Sequence, residues 1–190
     1  MKFLDALLGR TRPVQPDLDA LFGVPAAATT LQAALDLVPT GVGAVCFKPA
    51  EGPAAAQAQT DSISLLTADA VGNVAVSQDE YRYTWIASRH ESSDLAGLVT
   101  DLHAVNSTLA DAGYGPSLLC TIIGFVGAAD NRRLGLVYLF KRGTFYPFAP
   151  TGADTRDNDL ELQTRAQLGG ELPIETDLGR WFPIWTTPAL

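Results

Sequence analysis

Cysteine and histidine are nearly missing from this chain, and their scarcity excludes more chemistry than any motif present suggests. Cys46, Cys120, His90 and His103 are the whole supply. No CxxC pair and no Cys/His cluster with zinc-ligand spacing can be built from four residues so far apart. Each cysteine sits inside an apolar, strand-like run. One disulfide between them remains open, but the simpler reading is two small buried hydrophobes in a reducing compartment. His90-Glu91 begins like the HExxH motif of zinc proteases, yet position 94 is an aspartate. His103 falls mid-helix close to Asp101 and reads as a solvated or capping residue. No GxSxG elbow and no glycine-rich phosphate loop occurs. The residues therefore point to no catalytic group, no metal and no cofactor.

Basic residues are also few, 13 Lys and Arg against 21 Asp and Glu, giving a formal charge of −8. Phosphate contacts need clustered cations, so nucleic acid is not an expected partner. No apolar run approaches the roughly 20 residues needed to cross a bilayer. The start, MKFLDALLGRTR, is charged, but Asp5 interrupts an apolar stretch too short for a signal peptide. A cytoplasmic location is expected.

What is present is ordinary globular composition: 190 residues, 47% hydrophobic and 18% charged. A chain of this length forms one domain by default and can bury roughly 70% of its unfolded surface. The strongest pattern runs from Glu80 to Pro150. Tyr81, Tyr83, Trp85 and Ala87 alternate with Arg82, Thr84, Ile86 and Ser88, an aromatic-rich strand. Leu95, Leu98, Val99, Leu102, Val105 and Leu109 then step along one stripe of a helix, 94–112, with Asp101, Asn106 and Asp111 facing elsewhere. Gly113-Tyr114-Gly115-Pro116 stops it. Leu118 to Val126 is almost continuously apolar and reads as a central strand; 134–140 returns as a hairpin. Strand 144–148 follows, with Pro147 and Pro150 marking it as an edge. Gly124 and Gly135, inside strands, mark bulges or close helix packing.

Outside that stretch Asp17 to Phe22 reads as one or two helical turns stopped near Gly23 and Pro25, and the spacing then predicts a helix capped by Thr29 or Thr30, carrying Leu31, Ala34, Leu35 and Val38 and ended by Pro39. A strand follows at 42–48, then a helix over about 53–69 and a short strand from Val74. Asp157 or Asn158 caps a short helix bearing Leu160, Leu162, Ala166 and Leu168. The expected fold is α+β: a single domain with an antiparallel sheet of about five strands. The long helix packs on one face, with shorter helices flanking it. Residues 1–16 form an amphipathic segment ahead of this domain, 17–190.

Candidate contact surfaces lie at the margins. Phe3 and Leu7 lie on the apolar side of the locally basic N-terminal segment, which reads either as a turn packed on the body or as a docking segment for an anionic membrane surface or a partner helix. Arg132-Arg133 and Lys141-Arg142 place basic pairs on turns at opposite ends of one strand. They are solvated turns or contacts for an acidic partner. The tail around Trp181 and Trp185 is an apolar strap across the sheet or an aromatic anchor for a partner.

The segments FLDALLGRTRPVQPDLDALF (3–22), VPTGVGAVCF (38–47), LVTDLHAVNSTLADAGYGPSLLC (98–120), RRLGLVYLFKRGTFYPFAP (132–150) and LGRWFPIW (178–185) resemble a bacterial family. It is PspAB, the PspA-associated protein of phage-shock-protein systems. The resemblance implies a cytoplasmic accessory of PspA, the membrane-remodelling protein of the envelope-stress response, with PspA or another phage-shock component as partner. It implies no catalytic residue. The leading expectation is a non-enzymatic adaptor acting through protein contacts, with peripheral contact at the inner face of the membrane. The alternative is a small-molecule-binding module or minor enzyme with a pocket walled by Tyr81, Tyr83 and Trp85. A homodimer through the helix stripe or an edge strand is a third reading.

Overall fold

A computed structural model describes residues 17–50, 52, 57, 60, 61, 63, 64 and 74–190. The N-terminal segment, with Phe3 and Leu7, and most of the helix expected over 53–69 lie outside the described residues. Within that latter stretch Gln57, Thr60, Asp61, Ile63 and Ser64 are helical, and Ile63 is buried.

The chain enters through a 3-10 turn, Leu18–Gly23, and runs into helix α1, Val24–Leu35. Pro25, expected to stop a helix, instead opens this one. A first-turn proline loses no hydrogen bond, because its missing N–H has no intrahelical acceptor there. The helix ends three residues earlier than the spacing predicts, at Asp36, which takes a left-handed conformation with φ of 58°. Val38 and Pro39 therefore belong to strand β1, Leu37–Phe47, rather than to the helix.

Strands β2 (Val74–Gln78) and β3 (Thr84–Arg89) form a hairpin. Tyr81 and Tyr83, expected inside the strand, lie on the turn before it. Helix α2, Leu95–Leu109, starts where Asp94 accepts a hydrogen bond from Gly97 N–H and ends in a π turn at Gly113, φ 90°. Leu95, Leu98, Val99, Leu102 and Leu109 are buried as the stripe predicts. Asn106 is buried too, contrary to expectation. Its amide donates to Leu102 O and to Thr121 Oγ1, both at 2.8 Å, and these bonds let a polar side chain sit against the sheet.

Strands β4 (Leu118–Gly127), β5 (Arg133–Leu139) and β6 (Thr144–Phe148) follow, then helix α3, Asn158–Leu168, capped by Asp157. The sheet is antiparallel with six strands in the order β2-β3-β1-β4-β5-β6, one more than expected. The edge strand β2, expected from Val74, is short and largely exposed. At the other edge, β6 is covered where Phe145 N–H donates to Pro173 O and Glu175 N–H donates to Phe145 O.

The sheet has two different faces. One is packed by all three helices, α1, α2 and α3, around Phe47, Phe125 and Leu136. The other carries Ala44, Cys46, Trp85, Cys120, Ile122, Val137, Tyr146 and Phe148, and it is covered by the C-terminal tail through Trp181 and Ala189. Leu18–Leu35 is the one described stretch whose length and mean hydropathy would suit a membrane span. Its Leu21, Val24, Ala27, Ala28 and Leu31 are spent on the domain's own core.

Candidate functional site

The second face of the sheet leaves a half-open apolar groove of about 610 Å³ between strands and tail. Its position follows from the register. Phe47 pairs with Thr84 of β3 and Leu118 of β4, Cys120 with Leu139 of β5, and Leu139 with Thr144 of β6. One end of the sheet thus brings the β2–β3 turn and the β5–β6 turn onto the same side. The groove runs between them over β3, β1, β4 and β5, at least three strand spacings or about 14 Å, and reaches Tyr146 of β6.

The floor is Cys46, Trp85, Leu119, Cys120, Leu139 and Tyr146. Leu119 reaches it through a β-bulge: Cys46 pairs with Cys120 but Phe47 with Leu118, leaving Leu119 as the extra residue. One wall is the β2–β3 turn, shaped by Asp79. Its Oδ1 accepts from Tyr81 N–H at 3.0 Å and Tyr83 N–H at 2.9 Å, and its Oδ2 accepts from Trp85 Nε1–H at 3.0 Å. The carboxylate folds the turn and fixes the indole at once. The opposite wall is the tail, Phe182 to Thr186. Tyr81, Phe182 and Trp185 are 67%, 58% and 36% exposed, so the lips of the groove are aromatic and open to solvent.

The tail is held by polar ties that cross the core boundary. Tyr146 Oη–H donates to Phe182 O at 2.8 Å, and Trp181 Nε1–H donates to Glu175 O at 3.1 Å. Arg156 Nη1–H donates to Trp181 O at 2.8 Å, while its Nε–H pairs with the buried carboxylate of Glu161. The guanidinium also lies 5.3 Å from the centre of the Phe148 ring. Glu175, buried as well, accepts from Arg142 Nε–H at 2.8 Å, Thr144 Oγ1–H at 3.1 Å and Asp177 N–H at 3.1 Å. Burial alone would raise the Glu175 carboxyl, but these donors outweigh it and hold it below the usual range.

The thiols on the floor are both free. A hydrogen bond to Cys120, burial, the electrostatic influence of Cys120 and the nearby Asp79 charge push the Cys46 thiol far above its ordinary value. Burial likewise pushes the Tyr146 hydroxyl well up. Both groups stay neutral at physiological pH. At Cys46 and Tyr146 the floor offers a soft, neutral surface.

Of the residues singled out from sequence, the structure brings Lys141, Arg142 and Trp185 to this groove. Arg142 is tied to Glu175, while Lys141 is exposed. Trp181 is buried beneath the tail, and Trp185 stands edge-on to Phe148 with ring centres 5.1 Å apart. Arg132 and Arg133 line a separate polar depression of about 300 Å³ at the far end of β5. Arg132 is bound there by Asp130 and by Leu35 O, and Arg133 is exposed. Asp79, Glu161 and Glu175, which build the groove, escaped the sequence reading. Only Asp79 left a local signal, an aspartate two residues ahead of an aromatic strand.

These features define a small α+β domain whose antiparallel sheet carries helices on one face and a tail-walled apolar groove on the other. The chain belongs to the PspAB family, PspA associated protein B, whose sequence model matches residues 1–189. Neither a curated protein nor a solved structure matches it.

Proposed function

We propose that this protein is a non-enzymatic accessory of PspA in the envelope-stress response, an adaptor that works through protein contacts in the cytoplasm and at the inner face of the membrane. Membership of the PspAB family over residues 1–189 carries this reading, since the family is described by association with PspA. The exposed aromatic lips formed by Tyr81, Phe182 and Trp185 supply an apolar surface of the kind a partner covers. The test is co-sedimentation or pull-down of purified chain with PspA, with and without lipid. Retention of PspA supports the adaptor; no association in either condition removes it.

A second reading, a small-molecule-binding module, is favoured by one observation. The concavity expected beside the aromatic strand exists, and at about 610 Å³ it lies within the range of ligand pockets. The two readings are compatible, because a bound molecule on the second face would lie beside the surface that a partner would cover.

A further inference from the structure

We infer that the groove is a binding site for a free single-chain anionic amphiphile, an acyl chain ending in a carboxylate, with its head at Lys141 and its chain laid toward Tyr81. This rests on the small-molecule reading of the groove and names its ligand class; it is independent of PspA.

The shape comes first. A cleft that crosses at least three strand spacings, about 14 Å or more, suits an extended chain rather than a compact molecule. Its floor of thiols, Leu119, Leu139 and indole presents few polar groups to match. The hydroxyl of Tyr146 is already donated to Phe182 O. A molecule lying there must be apolar along most of its length.

Charge then sets the direction. The β5–β6 turn puts Lys141 and Arg142 at one end, and the β2–β3 turn puts Asp79 at the other. Asp79 repels an anion, and its oxygens already accept from Tyr81 N–H, Tyr83 N–H and Trp85 Nε1–H, so it offers a headgroup fewer open contacts than Lys141 does. Arg142 is engaged with Glu175. Lys141 is exposed on the turn, and among the described residues no carboxylate is within ion-pair distance of it. On a protein of net charge −8, a cation at one end of an apolar cleft and an anion at the other orient an anionic head toward the lysine.

The test titrates purified chain with dodecanoate, dodecanol and dodecyltrimethylammonium below their micelle concentrations, following tryptophan fluorescence, with anionic phospholipid vesicles as a separate arm. Expected are saturable dodecanoate binding, weaker dodecanol binding and the weakest binding for the cation. Lys141→Glu should weaken dodecanoate binding roughly three- to tenfold, leave dodecanol unchanged and preserve the circular dichroism spectrum. Equal binding of dodecanol and dodecanoate, unmoved by Lys141→Glu, overturns the anionic head but keeps the groove as a ligand site. No saturable binding of any probe overturns both. Binding to vesicles without binding of free dodecanoate overturns the single-chain ligand in favour of a lipid surface.

Discussion

Cys46 lies directly opposite Cys120 across β1 and β4, and both thiols form part of the groove floor. The Cys46 thiol is kept protonated by its hydrogen bond to Cys120, by burial and by the neighbouring Asp79 charge, and both side chains are buried, so proximity does not translate into reactivity. At pH 8 a thiol-reactive disulfide reagent should label neither cysteine of the folded chain within minutes, and both after denaturation. Rapid labelling of the native protein would show that the thiols are ionised and the floor open.

His90 ties the start of α2 to the end of β3. Nδ1 is 2.9 Å from Asp94 and Nε2 is 2.7 Å from Asp101, which also accepts from Ser88 Oγ–H. The bonds to Asp101 and Asp94 raise the imidazole above its ordinary 6.5, and the bond to His90 lowers Asp94 below 3.8. The native state therefore holds the His90 proton more tightly than the unfolded chain does. Its contribution is full below about pH 6.5 and is lost as pH rises through the raised value. The Asp94 contribution is present above about pH 3.8 and is lost as pH falls through the lowered one. Melting temperature should decline from pH 6 to 8, and His90→Gln should flatten that decline. An unchanged slope in the variant would remove the histidine from the account.

Glu161 and Arg156 couple helix α3 to the tail. Glu161 is almost fully buried, accepting from Arg156 Nε–H and from Ala149 N–H, while the same arginine holds Trp181 O. Removing the carboxylate strands a largely buried cation and a backbone donor. Glu161→Ala should cost about 3 kcal/mol in urea unfolding. Its tryptophan emission should shift to the red as Trp181 loses cover. A loss below about 1 kcal/mol, with unshifted emission, would show that the pair does not anchor the tail.

Gly124 pairs with Gly135 across β4 and β5, and together they leave a shallow depression in the second face. The end of the tail fills it. A Cβ on Gly124 would strike the Ala189 carbonyl and press on Thr40, while one on Gly135 would meet Ile122 and Leu190. Gly124→Ala should destabilise by about 1–3 kcal/mol and loosen the last residues. Proteolysis near residue 185 is the readout. Wild-type resistance in the variant would contradict this packing.

These glycines show where sequence reading stops. Their place in strands was legible, but bulges and helix packing were the expected causes, whereas the actual neighbour is an irregular segment more than fifty residues away. Helix α2 was legible because its stripe repeats every three or four residues and its stop is written in glycine and proline. Pro25 misled because the same residue ends one helix and begins another, and only the packing of Val24, Ala27 and Leu31 decides which. The aromatic wall of the groove was visible from Tyr81, Tyr83 and Trp85. The opposing wall was legible only in part: the tail was expected as a strap across the sheet, but Phe182 to Thr186 has no periodicity that places it beside the groove. The meeting of the two cysteines was not legible, since it depends on register set by the whole sheet.

The tail's role also has a consequence for how the molecule comes into being. The helix-covered layer can assemble largely from residues up to 168, but the second face gains most of its cover from residues 181–190, with Ile174 beside them. Until that segment packs, the sheet carries one bare, aromatic-rich side. Contacts this distant in sequence form slowly, and an uncovered sheet face is a hazard for association with other chains. Cover for the second face thus rests mainly on residues 181–190: until they seat, Trp85, Tyr146 and Phe148 stay open to solvent and to other chains.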